Sequence, residues 1–192
     1  MISPVQYASR PMSEHITLDR LDVPGAMSRL EEIVAAYIEV YADAGDAYFG
    51  EERFRLQLAG HMGAPAWELV CADLDGDLVG FAYGFTLPAG TDWWRGLLTR
   101  VPDGFTHEDG HRTLAICEIV VRSPWRRQHV GRHLLDTLLS GRPEERATLL
   151  VDPDNWAAQV ACAAWGCDGV AQLRPERNGA PVYDVLMLDR DR

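Results

Sequence analysis

The sequence contains no lysine; all 18 basic residues are arginine. This composition bias excludes a lysine nucleophile. Basic charge is scarce overall. Against 29 acidic residues it leaves a net charge of −11. That balance argues against a nucleic-acid partner and against an anionic membrane, because both select basic patches. It leans only mildly toward a cationic substrate, since solubility explains it more simply. There is no apolar run long enough to span a bilayer and no leader pattern at the N-terminus. None of the four cysteines (Cys71, Cys117, Cys162 and Cys167) forms a C-x-x-C pair. Three lie in apolar stretches, where a free Cys behaves as a small hydrophobe. These features imply a reduced, cytoplasmic protein. Cys162 and Cys167 lack further ligands at metal-site spacing, so no metal is expected. Repeats and low-complexity tracts are also missing. The length of 192 residues suits one domain. We expect a loose arm over residues 1–14 and a single domain over 15–192.

The most informative stretch runs from Thr113 to Leu139. Leu114 to Val121 is short, rich in Ile and Val, and followed by a breaker at Pro124. It reads as a buried strand. Val130, Leu134, Leu135, Leu138 and Leu139 recur at helical spacing and form one apolar stripe. Between them lies Arg126-Arg127-Gln128-His129-Val130-Gly131-Arg132. A turn of this kind leaves the first amides of the helix without partners at the positive end of the helix dipole. That is a site for phosphate. Gly131 lets backbone approach a ligand closely, and the arginines add charge-assisted contacts. A solvated basic turn capping an ordinary β-α unit explains the same residues equally well.

The segment resembles motif A of the GNAT superfamily of acyl-CoA-dependent N-acyltransferases, whose pattern is Arg/Gln-x-x-Gly-x-Gly/Ala before a helix. Here it is Arg126-x-x-His129-x-Gly131, with His129 in place of the first Gly. A second match follows. Ala147 to Val151 reads as a strand, and Asp152-Pro153-Asp154-Asn155 as a turn into a helix striped by Ala158, Ala161, Cys162 and Trp165. The family shows Asn-x-x-Ala, then Tyr, then Gly-Phe. This chain has Asn155, Ala158, Cys162 at the Tyr position, and Gly166-Cys167.

The rest of the chain can be read in order. His15 to Leu21 is a first strand. Asp22-Val23-Pro24 starts a helix, and Leu30, Ile33, Val34, Tyr37, Ile38 and Tyr41 trace its face until Gly45. A shorter helix spans about Glu51 to Met62, with Phe54, Leu58 and Met62 aligned. Trp67–Leu74 and Leu78–Phe85 flank a hairpin turn at Asp75-Gly76-Asp77. Val79, Phe81, Tyr83 and Phe85 should share one face of the second strand, with Gly80, Ala82 and Gly84 on the other. Thr86 to Arg112 is a long loop with Trp93-Trp94, which either roofs an acceptor pocket or plugs the core. Gly169–Arg174 and Val182–Leu188 close the chain as strands. The expected class is α/β (α+β). The order matches the GNAT fold: a mixed, mostly antiparallel sheet of about six to seven strands with helices on both faces.

The resemblance implies acetyl-CoA as cosubstrate. Its acyl and pantetheine groups would lie along the main chain of Ile119, Val120 and Val121. Its phosphates would lie on Arg126, Arg127, Gln128, His129, Val130, Gly131 and Arg132, with Asn155 binding CoA or simply capping its helix. Many members use a Glu on this strand as general base. Glu118 is that residue here, on a face expected to hold Leu114, Ile116 and Val120 as well. A carboxylate there is costly unless paired or useful, and a structural ion pair is the other explanation. Cys162 stands where the family has a Tyr general acid. It could protonate the leaving sulfur or fill the apolar stripe, and Tyr83 and Tyr183 are alternative acids. The implied reaction is direct transfer of acetyl to a primary amine of a small molecule. A homodimer, common in the family, is a further expectation. His129 and Cys162 keep an alternative open, a catalytically degenerate domain that binds CoA as a regulatory or interaction module.

Overall fold

Asp75 and Gly76, at φ 52° and 92°, make the two-residue turn that the Asp-Gly-Asp sequence favours. Leu74 and Asp77 face each other across it. Around this hairpin the computed structural model, which describes residues 16–42, 50–176 and 179–190, builds a seven-stranded sheet. The hairpin strands are β2 (Glu68–Leu74) and β3 (Asp77–Thr86). β1 (Ile16–Leu21) pairs outside β2, and β4 (Thr113–Val121) pairs with β3. β5 (Arg146–Val151) joins β4 in parallel; β7 (Tyr183–Asp189) and β6 (Asp168–Leu173) follow antiparallel. The order is β1-β2-β3-β4-β5-β7-β6, mixed and mostly antiparallel as expected.

Helices cover both faces. On one face α1 (Val23–Ser28), α2 (Leu30–Tyr41) and α3 (Glu51–Met62) bury Ile33, Tyr37, Phe54 and Leu58 against Phe81 and Tyr83. On the other, α4 (Val130–Leu139) and α5 (Trp156–Ala164) bury Leu134, Leu135, Leu138 and Cys162 with Val70, Ala82 and Leu149. The single helix expected after Asp22 is two helices. Asp22 caps α1 through Gly25 N–H (2.9 Å), but Arg29 leaves the helical region at φ −113°. Its guanidinium is drawn to Asp73 on β2, at 2.8 and 2.6 Å, and this ion pair anchors the break to the sheet. The arm over 1–14, His15 and the stop at Gly45 lie outside the described residues.

Two β-bulges change the expected faces. One, opposite Ala72 and Asp73, leaves Val79 as an extra residue of β3. Val79 therefore packs in the α4 layer, while Phe81, Tyr83 and Phe85 share the α2/α3 layer. The small face of β3 admits a helix rather than a ligand. A Cβ at Gly80 would lie 2.6 Å from Val120 O and 3.3 Å from Leu134 of α4.

The Thr86–Arg112 loop is tied down at both ends. Trp94, buried, donates through Nε1 to Glu108 (3.1 Å), and Glu108 also takes Arg146 (2.9 Å) and Thr113 (2.8 Å). Leu97 bridges to Leu173 of β6. Gly96, at φ +81°, is required there, because a Cβ would lie 1.9 Å from Arg174 O. The two tryptophans divide the expected roles: Trp94 plugs the core and Trp93 lines the cleft described next.

Candidate active site

β4 and β5 stay paired only from Thr113/Arg146 to Ile116/Leu149. Beyond that rung they separate, and the β4 backbone from Cys117 to Val121 has no strand partner on the β5 side. The second bulge falls at the same place. Tyr83 opposes Glu118 and Gly84 opposes Ile116, so Cys117 is the extra residue. Bulges often re-aim a side chain beside an active site. This one corrects the expected face of Glu118. Leu114 and Ile116 belong to the α4 layer, whereas Glu118 turns with Val120 toward α2 and α3.

The separated strands open into a cleft of about 1440 Å³. One wall is the turn before α4. Ser123–Trp125 forms a short 3-10 turn, then Arg127 and His129 both take left-handed backbone, at φ 60° and 63°. His129 thus holds a left-handed conformation more usual for Gly, a tolerable strain for His. The N–H groups of Val130, Gly131 and Arg132 stand in the first turn of α4, where a helix has no acceptors of its own for them. Such a run at a helix N-terminus is an anion cradle. Arg126 Nε donates to Val121 O (3.0 Å), and Arg132 pairs with Asp136 (2.9 Å). Gln128 is not on the cleft; its amide donates to Pro124 O (2.9 Å). Val120 is buried in the core, so only its main chain is offered. Ile119, Val121, Arg126, Arg127, His129, Val130, Gly131 and Arg132 line the cleft together.

The opposite wall carries Glu118. Tyr41 OH of α2 donates to Oε2 (3.2 Å) and Gln57 Nε2 of α3 donates to Oε1 (3.2 Å). Gln57 Nε2 also donates to Tyr83 OH (3.3 Å), which lies 3.1 Å from His61 Nδ1. Glu118 keeps part of its surface toward the cleft, yet the protein around it strips away enough water to matter. Burial lifts its carboxyl to about 7, against the pull of the Tyr41 and Gln57 hydrogen bonds. The Glu118 charge and burial together push the Tyr41 hydroxyl well above its usual range. Both effects leave Tyr41 a donor. A carboxyl poised near neutral pH at an opening suits general-base work. No arginine is bonded to Glu118 among the described residues.

The remaining expected residues divide. Asn155 Oδ1 accepts from Ala158 N–H (3.1 Å), so that oxygen caps α5, although the residue also lines the cleft. Cys162 lines the cleft from the α4 layer, buried at 3% exposure. The neighbouring Cys167 thiol and burial hold its pKa far above the ordinary thiol range. This is the wrong direction for a proton donor to a leaving thiolate. Tyr83 is fully buried with its hydroxyl committed to the Gln57–His61 chain; Tyr183 lines the cleft. Tyr41 reads from the sequence only as part of a helix face, and Gln57 and His61 are not singled out at all. Arg53, Gln57 and His61 recur every four residues on α3, a polar stripe beside the apolar stripe of Phe54 and Leu58. That spacing was the available signal.

Among the described residues no cluster of His, Cys, Asp or Glu is arranged to hold a metal ion, and no helix is long and apolar enough to cross a membrane. No curated protein matches the sequence. Solved structures do match in fold. Ard1 from Thermoplasma volcanium is 16% identical with a TM-score of 0.61, over 91% of this chain and 97% of that one. The PaiA N-acetyltransferase of Thermoplasma acidophilum, solved in complex with coenzyme A, is 11% identical with a TM-score of 0.59, over 91% and 98%. An acetyltransferase from Thermus thermophilus is 16% identical with a TM-score of 0.61, over 90% and 97%. The model of the acetyltransferase (GNAT) family matches residues 30–162, from the start of α2 to Cys162 on α5. That span takes in the cradle, the separated strands and Glu118, and the chain belongs to the GNAT acetyltransferase family.

Proposed function

We propose that this chain is an N-acetyltransferase that moves acetyl from acetyl-CoA to a primary amine of a small molecule, by direct attack in a ternary complex. The observation that carries the reading is Glu118, set where β4 leaves β5 and lifted to a pKa of about 7. The phosphates of CoA would rest on the Arg127–Arg132 amides, with Arg126 and Arg132 swinging from their present partners to the anion. The coenzyme A held by the PaiA relative supports this donor. The pantetheine arm would follow the unpaired edge of β4 at Ile119 to Val121. Glu118 takes a proton from the ammonium. The amine nitrogen attacks the thioester carbonyl, main-chain N–H groups of β4 meet the oxyanion, and the C–S bond breaks. The nitrogen gives up its second proton as the C–S bond breaks, and the leaving thiolate takes up one proton within the cleft; Cys162 is a poor relay, and Tyr183, which lines the cleft, is the candidate hydroxyl. The net charge of −11 supports a small amine over nucleic acid or membrane as partner, and four free cysteines support a cytoplasmic setting.

The test has two parts. Acetyl-CoA at a hundredfold excess over its Kd should stabilise the protein by ~2.7 kcal/mol in a thermal-shift titration. Mass detection of N-acetylated product across a panel of small amines should then identify an acceptor. Binding without product on any amine would reduce the chain to a CoA-binding module. No stabilisation would remove the donor.

A further inference from the structure

α5 ends in a motif that brings two thiols together. Gly166, at φ +92°, reverses the chain, Cys167 N–H donates to Cys162 O (3.0 Å), and Gly166 N–H donates to Ala163 O (3.1 Å). This helix-ending geometry commonly brings the side chains at its two ends, here Cys162 and Cys167, to the same side of the turn. The Cys162 and Cys167 thiols act on each other's titration, raising the first and lowering the second, and neither is in a disulfide. The shared N–H···O bond caps their Cα separation at about 7 Å, near the upper end of the disulfide range. The two residues also line different spaces. Cys162 lines the large cleft, whereas Cys167, partly exposed, lines a separate cavity of about 440 Å³ with Gln159 and Asp184.

We propose that Cys162 and Cys167 are an oxidation site, closed to an intrachain disulfide by a hydroperoxide, and that closure weakens acetyl-CoA binding. Cys167 is the attacking thiol, because it is the one open to the smaller cavity. The neighbouring Cys162 thiol lowers its pKa, which favours the thiolate. Its sulfur takes the outer peroxide oxygen, the O–O bond breaks, and the other oxygen leaves as alcohol or water. Cys162 then loses its proton and attacks the Cys167 sulfur. The S–S bond forms and the sulfenic oxygen leaves as water. Two electrons pass from the two sulfurs to the peroxide, and a dithiol returns them.

The coupling to the cleft runs through Trp165, which lies between the two cysteines. Its ring packs on the first turn of α4; a Cβ at Gly131 would lie 3.3 Å from it. An S–S bond fixes the two sulfurs about 2.05 Å apart, so closure tightens the turn that carries Trp165. The Gly131 end of the phosphate cradle moves with it. This coupling rests on the acetyl-CoA reading; the disulfide itself does not.

Trypsin separates the thiols cleanly. Cys162 and Cys167 share the peptide 147–177, Cys71 lies in 56–95 and Cys117 in 113–122. After brief hydrogen peroxide treatment of the whole protein, the 147–177 peptide should lose two hydrogens and resist iodoacetamide, while the other two peptides alkylate. Acetyl-CoA affinity should fall several-fold and return with dithiothreitol. Cys167→Ser, with melting temperature and untreated affinity near wild type, should not respond to peroxide. Two alkylated cysteines in 147–177, prior oxidation of Cys71 or Cys117, or Cys167 sulfinic acid without a disulfide would overturn the site. A disulfide that leaves affinity unchanged would overturn the coupling. Reduced protein that does not bind acetyl-CoA would overturn the donor reading, and the coupling with it, while the peptide mass still decides the disulfide.

Discussion

One wall of the cleft is made of backbone, the other of side chains from separate elements. At the α4 turn, the proposed ligand contacts come from consecutive amides, and any sequence that folds into strand, left-handed turn and helix presents them. At Glu118 the contacts come from β4, α2, α3 and β3, assembled over sequence separations of 77 residues to Tyr41 and 61 to Gln57. The first wall tolerates His129 in place of Gly because only the backbone conformation matters there. The second depends on each side chain, and on a bulge that decides which way Glu118 points. Binding is therefore expected to be robust to single changes, and chemistry fragile.

The sharpest break of that contrast is Glu118→Gln. We expect kcat to fall by ~10²- to 10⁴-fold, the usual range for removing a general base, with acetyl-CoA affinity by calorimetry unchanged. Replacing both Arg126 and Arg132 by Ala should act on the other wall. Acetyl-CoA Kd should rise about ten- to a hundredfold, as expected for lost hydrogen bonds between charged groups, while saturating kcat holds. Equal loss of kcat there would erase the division of labour. His129→Gly should relieve left-handed strain and raise stability by about 1 kcal/mol, read as a melting temperature higher by roughly 2–4 °C. A lower melting temperature would mean that the His side chain, not its backbone, holds the turn. The smallest effect is Tyr41→Phe. It removes a hydrogen bond that favours the Glu118 carboxylate, so the acid limb of activity should move to higher pH.

The same contrast explains what could be read from the chain alone. The hairpin, the α4 stripe and the cradle depend on neighbours in sequence, and their signals are local: Asp75-Gly76, Val130 to Leu139, and Arg126 to Arg132. Glu118 was visible as a lone acid in an apolar strand. Its face was not, because the inserted Cys117 shifts the alternation by one and nothing in the residues from Thr113 to Val121 marks a bulge. The bulge in β3 misplaced Val79 for the same reason. Gln57 and Tyr41 reach Glu118 only through tertiary packing. Cys162 was placed on the correct helix and cleft, but the fate of its thiol depends on Cys167 across the helix end.

The pH dependence of kcat/KM in wild type and in Glu118→Gln tests the central claim most directly. Glu118 works as a base only when ionised, so wild-type activity should climb as pH rises through about 7, at the same pH for acceptor amines of different basicity. Stability should run the other way. A carboxyl whose folded pKa is raised favours the fold below its ordinary value and loses that contribution as pH rises through about 7. Both slopes should vanish in Glu118→Gln. A limb near 7 that survives in Glu118→Gln, or that tracks the pKa of the amine, would contradict the account and place the base elsewhere in the cleft.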